Sequence, residues 1–161
     1  MSTKEEREPK EFEEKVLHIN RCSKVVKGGR KFSFSALILI GDLKGRIGFG
    51  FAKANEVSDA IKKGSEAAKK NIITFDMDGD TIPHEIEVNY DGARVLIKPA
   101  PDGTGVIAGG KVRAVFELAG IKNIVAKSKG SSNPINQVRA TFKALTMLRS
   151  REKSLKERGL A

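Results

Sequence analysis

Residues 31–40 read KFSFSALILI, a run in which Phe32, Phe34, Ala36, Ile38 and Ile40 recur at every second position. Side chains alternate sides along an extended chain, so this period writes a strand with one apolar face, with Ser33 and Ser35 on the other. A connection with glycine at each end, Gly41 to Gly45, follows and suits a hairpin loop. Ile47, Phe49 and Phe51 then alternate with Gly48 and Gly50 over residues 46–52, a further strand. The bare glycine face leaves room for a helix, or an RNA backbone, to come close. Residues 15–26 supply a first strand. These three strands are expected to pair antiparallel.

Between the first two lies RCSKVVKGGRKFSF, residues 21–34. Arg21, Lys24, Lys27, Arg30 and Lys31 crowd around the Gly28–Gly29 pair, where glycine reaches positive φ at little steric cost. No acidic residue occurs between Lys15 and Ser35. A turn so charged repels itself until a polyanion or salt neutralises it, which points to phosphates.

A helix is expected over residues 55–70, with Asn55 as N-cap, Asp59 in the first turn, and Lys69 and Lys70 in the last. Its stripe of Val57, Ala60, Ile61, Gly64, Ala67 and Ala68 is narrow enough to lie on the sheet. Residues 76–80, DMDGD, break the pattern and mark a linker over 76–82. Their likeness to a calcium loop is incomplete, because the later Glu and the flanking helices are missing.

The second unit, residues 83–150, opens with strands over 85–89 and 94–99 around the turn signal Asp91-Gly92. The stretch PDGTGVIAGG, residues 101–110, leads into a helix over 111–119 closed by Gly120, then a strand over 121–126. Asn133 as N-cap with Pro134 at the first helical position starts the last helix. Ile135, Val138, Phe142, Leu145 and Leu148 on its helical period belong in a core. Residues 1–11, with Glu13 and Glu14, read as a flexible charged leader, and 151–161 as a charged tail that frays. The fold class is α+β, and units this small are marginal alone, so docking on a partner would stabilise them.

Composition narrows the function. The 161 residues carry a net charge of +10, one cysteine and no tryptophan. One cysteine excludes an internal disulfide and fits a reducing cytoplasm. No apolar run is long enough to span a bilayer, and no helix pairs cations with a bulky apolar face, so no membrane partner is expected. His18 and His84 lack spaced partners, so no metal and no cofactor are expected. Gly103–Gly110 before a helix could bind an anion, as the loop of small-molecule kinases does. That gives the rival reading, a kinase or nucleotide-binding protein, although no Lys-Ser/Thr follows. Cations of the second unit, including Lys127, Lys129, Arg139 and Lys143, form a second basic surface with Asn133 beside it. Two basic surfaces without a recognition helix or exposed stacking aromatics suit folded RNA read by shape and phosphate.

Residues 20–57, NRCSKVVKGGRKFSFSALILIGDLKGRIGFGFAKANEV, and 98–145, KPAPDGTGVIAGGKVRAVFELAGIKNIVAKSKGSSNPINQVRATFKAL, resemble the family of bacterial small-subunit ribosomal protein five. The resemblance covers residues 12–148 and departs only at the ends. It implies a first domain, 12–75, like a double-stranded-RNA-binding domain without its first helix, and a second α/β domain of the family's own type. It implies a non-catalytic ribosomal component that binds small-subunit ribosomal RNA during assembly. It further implies contacts to small-subunit proteins four and eight, and a position near the messenger RNA entry path that influences translational accuracy. The hairpin 21–31 matches the family's spectinomycin-sensitivity loop. Residues 103–113 match the region facing protein four, which makes Gly103, Thr104, Gly105, Gly109, Gly110 and Arg113 candidate interface residues.

Overall fold

The central strand of the first sheet is buried on both sides. In the computed structural model, which describes residues 12–160, β1 (Glu13–Val26), β2 (Gly29–Gly41), β3 (Arg46–Ala54) and a short β4 (Ile72–Thr74) form an antiparallel sheet in that order. The alternation serves two cores. Ala36, Ile38 and Ile40 pack with Ala60 and Ala68 of helix α1 (Val57–Lys70), whereas Leu37 and Leu39 join a second, larger cluster. A strand covered on both faces reads as a near-continuous apolar run, which residues 36–40 are. Phe32 and Phe34, expected on the core face, lie past the covered stretch, and Phe32 is exposed.

The glycines of β3 admit the helix, not RNA. A Cβ on Gly50 would stand 2.0 Å from the Gly64 carbonyl oxygen of α1, and one on Gly48 would stand 2.4 Å from that of Ala68. Asn55 does not cap α1; Glu56 holds the N-cap position without a side-chain capping bond. The three-residue β4 was not foreseen. Glu13 and Glu14 belong to β1 rather than to a leader, and Glu14 accepts a hydrogen bond from Ser65. Residues 1–11 lie outside the described residues.

The second sheet runs β5 (Ile86–Tyr90), β6 (Ala93–Pro99), β8 (Ile124–Gly130) and β7 (Val106–Ile107), the last pair parallel. Helices α2 (Gly110–Ala119) and α3 (Pro134–Thr146) pack on it. The strand expected over 121–126 starts three residues later. Gly120 takes the left-handed conformation, and the Ile121 N–H reaches back to Phe116 O, so these residues close α2 instead. The tail does not fray from Ser150 onward. Ser150 caps α4 (Arg151–Glu157) by accepting from Lys153 N, and Lys153 Nζ bonds Asp76 at 2.8 and 2.9 Å.

The two units share one core. Leu37, Leu39, Ile47 and Phe75 pack with Val95, Phe116, Leu118 and Phe142, and the rings of Phe49 and Phe142 meet edge to face at 4.7 Å. The stabilising surface expected from outside partners is therefore supplied in large part by each unit to the other. The loop between β2 and β3 completes the joint. Its Leu43 and Gly45 N–H groups donate to the Leu118 and Ala119 carbonyls, which the end of α2 leaves without helical partners.

Candidate nucleic-acid interface

Past the reach of α1, β1 and β2 continue as a two-stranded ribbon. Lys27 and Gly28 form its turn, with Gly28 at φ +91°, and Gly29 already opens β2. Residues paired across an antiparallel ladder share a face. Lys24 pairs with Lys31, and Val25 with Arg30. The crowded cations therefore divide: Lys24 and Lys31 side by side on one face, Arg30 on the other, Lys27 at the tip. All four are exposed, and among the described residues none has a hydrogen-bond or ion-pair partner. Like charges directly opposite destabilise a ladder. The Arg21 guanidinium sits over the Phe32 ring, 3.8 Å from its centroid.

The second set of cations does not converge on one surface. Lys127 and Lys129 lie exposed on β8, opposite Leu96 and Arg94, on the sheet face turned away from the core. Arg94 is held by Glu87 through a two-pronged ion pair, and that pairing, with Lys129 nearby, holds the Glu87 carboxyl below its usual range. Asn133 spends its side-chain oxygen on Ile135 N as the cap of α3. Arg139 donates to the Tyr90 hydroxyl at 3.0 Å, and Lys143 to the Asn89 carbonyl. Lys122 is paired with Asp80, and Arg149 with Glu157.

The stretch 103–113 is a braced surface. Gly103 and Gly105 have φ of +88° and +75°, and Thr104 donates to the Pro101 carbonyl. Gly105 N donates to buried Asn123, which also holds Asp102. Asn123 is an organiser that its sequence neighbourhood did not advertise. Gly109 is the N-cap of α2, Gly110 its first residue. Arg113 bonds Glu117, which also takes Lys15 from β1. The two donors hold the Glu117 carboxyl below its ordinary range against the opposing effect of burial. The kinase-like reading gains no support here. The glycine run is interrupted by β7, and among the described residues no group of three or more His, Cys, Asp or Glu side chains could hold a metal ion.

Two α+β units, one lengthened into an exposed cationic ribbon, have the build of a polyanion-binding protein. Comparison gives the family. Residues 12–76 match the N-terminal domain of ribosomal protein S5, and residues 88–158 match its C-terminal domain. Similar proteins include the small ribosomal subunit protein uS5 of Protochlamydia amoebophila, 68% identical over 161 residues that cover 99% of this chain and 96% of that one. That of Chlamydia felis is 66% identical over 149 residues, 92% and 90% of the two chains, and that of Chlamydia trachomatis serovar D is 60% identical over 151, 93% and 92%. The chain belongs to the ribosomal protein S5 family.

Proposed function

We propose that this chain is a structural, non-enzymatic protein of the small ribosomal subunit in the cytoplasm, and that its β1–β2 ribbon grips ribosomal RNA by the phosphates. The observation that carries the reading is the Lys24–Lys31 pair. Two cations face each other across a ladder whose residues 16–35 contain no acid, an arrangement that costs stability until anions arrive. Lys27 and Arg30 extend the grip, and Gly28 and Gly29, with nothing among the described residues within 4 Å of where a Cβ would stand, let a backbone approach. Lys127 and Lys129 offer a second phosphate contact from the outer face of β8. Asn133 and Arg139 contribute less in this reading, since both side chains are already engaged within the chain.

In the same reading, residues 12–75 and 83–150 are the two working units and 76–82 their joint. The braced surface with Gly103, Thr104, Gly105, Gly109, Gly110 and Arg113 faces small-subunit protein four, and protein eight is a further neighbour. The messenger RNA passes nearby, so the protein influences decoding accuracy as well as assembly. Support for these partners is the resemblance of residues 21–31 and 103–113 to the family's motifs.

The test is the salt dependence of binding to small-subunit ribosomal RNA by the full chain. Each phosphate contact adds about 0.7 to 0.9 to the slope of log affinity against log salt. Replacing Lys24 and Lys31 with Gln is expected to lower the slope by roughly 1.5. An unchanged slope overturns the ribbon's role.

A further inference from the structure

The ribbon face opposite the lysine pair is aromatic. Arg21 pairs with Phe34 and Val25 with Arg30, so Arg21, Val25, Arg30, Phe32 and Phe34 share that face. Helix α1 covers the same face only from Ala36 to Ile40. Beyond its reach Phe32 is left 46% exposed and Val25 76%. Single exposed apolar residues are ordinary. Phe32 differs in what lies on it: the Arg21 guanidinium, 3.8 Å from the ring centroid. The guanidinium covers one face of the ring, so the two make a layered polarisable surface with one member from each strand. The stretches of the two strands that carry it bring cations and no acid, since residues 16–35 contain none.

Such a surface fits one chemical partner better than others. Aromatic rings and arginine planes are the groups on which proteins stack splayed nucleobases, and every base has a π-face to offer. A paired base within a duplex does not expose that face, so the platform selects a loop, a bulge or a strand end. We propose that the Arg21–Phe32 face is a stacking platform for an unpaired base of the RNA whose phosphates the lysine face holds. This rests on the RNA reading above and adds base contact to it. One face of the ribbon then takes charge and the other takes a ring.

The chain has no tryptophan, so Phe32→Trp installs a single indole at the platform. The full-length variant is titrated with oligoadenylate at low salt, and in parallel with inorganic polyphosphate. Strong quenching of the indole by oligoadenylate, with little from polyphosphate, is expected. Phe32→Leu, which keeps apolar bulk but no ring, is expected to weaken oligoadenylate binding about five- to 150-fold, the usual value of one stacked base. Its salt slope should stay as in the unaltered chain. Absent or equal quenching by the two polymers overturns the platform, as does undiminished binding by Phe32→Leu or no saturable oligoadenylate binding. Should the indole disturb the ribbon, the Phe32→Leu titration carries the test alone. Failure of the phosphate reading has a separate signature, an unchanged salt slope after loss of Lys24 and Lys31.

Discussion

Two turns of one sheet carry similar residues and do opposite work. The turn between β1 and β2 and the loop between β2 and β3 both join long strands, both contain glycine, and both carry lysine. At the first, nothing among the described residues comes within 4 Å of a Cβ built on Gly28 or Gly29, and the cations have no partner among them. At the second, a Cβ on Gly41 would stand 2.2 Å from the Leu118 carbonyl oxygen, and one on Gly120 would stand 2.1 Å from that of Leu43. The adjoining Asp42 takes hydrogen bonds from Lys44 N, Arg46 N and Arg46 Nε. One turn is left open for something outside the chain; the other is saturated within it. Of the two, only the second contains an acid, Asp42.

The largest effects should come from filling the closed loop. Gly41→Ala puts a methyl group into backbone, and Gly120→Ala adds a left-handed conformation at φ +85° to the same collision. Overpacking and backbone strain together place Gly120→Ala at about 3 kcal/mol or more, with Gly41→Ala somewhat below. Gly28→Ala carries only the conformational cost, about 1 kcal/mol. Urea unfolding of the three variants measures the contrast directly. Equal losses would mean that the joint between the units yields as easily as the open tip.

A smaller effect separates the charges of the two turns. Burial of the Asp42 side chain, 4% exposed, works against its ionised form, but the Arg46 side chain and the N–H groups of Lys44 and Arg46 outweigh it and hold the carboxyl below its ordinary range. A group whose folded pKa is lowered contributes stability above its unfolded pKa and loses it as pH falls through the folded one. Asp42→Asn should therefore cost about 1–2 kcal/mol at neutral pH, narrowing to little in acid below the folded pKa. A cost that does not depend on pH would assign the loss to packing rather than to charge.

At the open turn the sign reverses. Lys24→Glu converts a like-charge cross-strand pair into an opposite one and should stabilise the ribbon by roughly 0.2–1 kcal/mol while weakening RNA binding. Thermal unfolding beside a binding titration reads both. Loss of stability together with binding would mean that the lysines support the fold, and the contrast between the turns would fail.

Much of this was legible because local chemistry and tertiary use agreed. The period-two run of β2, the Asp91-Gly92 turn and the Asn133-Pro134 helix start each state their geometry in a few adjacent residues. The α+β class followed from them. What escaped depended on distant partners. The alternation in residues 36–40 does not say that both faces are covered, because the second cover comes from α2 and α3. Gly48 and Gly50 invite any close neighbour, and only the packing of Gly64 and Ala68 of α1 selects the helix. Ile121 looks like a strand residue until Gly120 turns the chain back on Phe116. For the site, the basic ribbon was evident from composition, but its division into a lysine face and a Phe32 face needs the register of β1 on β2. The second-unit cations looked equivalent in sequence and are not, since Tyr90, Asn89, Glu117 and Asp80 engage several of them.

The smallest effect tests whether saturation within the chain always means cooperation with it. Lys153 bonds Asp76 and, with the Ser150 N–H, holds that carboxyl below its usual range against burial. In number of bonds Asp76 resembles Asp42. In setting it does not, because Lys153 is 65% exposed and Asp76 25%, so water and salt screen the pair. Lys153→Met should cost the whole chain well under ~1 kcal/mol, a change near the limit of a melting experiment. Its mark should appear locally, as faster amide exchange through α4 with β2 and α2 unaffected, because a short peripheral helix opens below the global free energy. If Lys153→Met instead lowers the global midpoint as far as Asp42→Asn does, α4 is part of the cooperative core. The line between open and saturated segments would then have to be drawn beyond residue 157 rather than at Ser150.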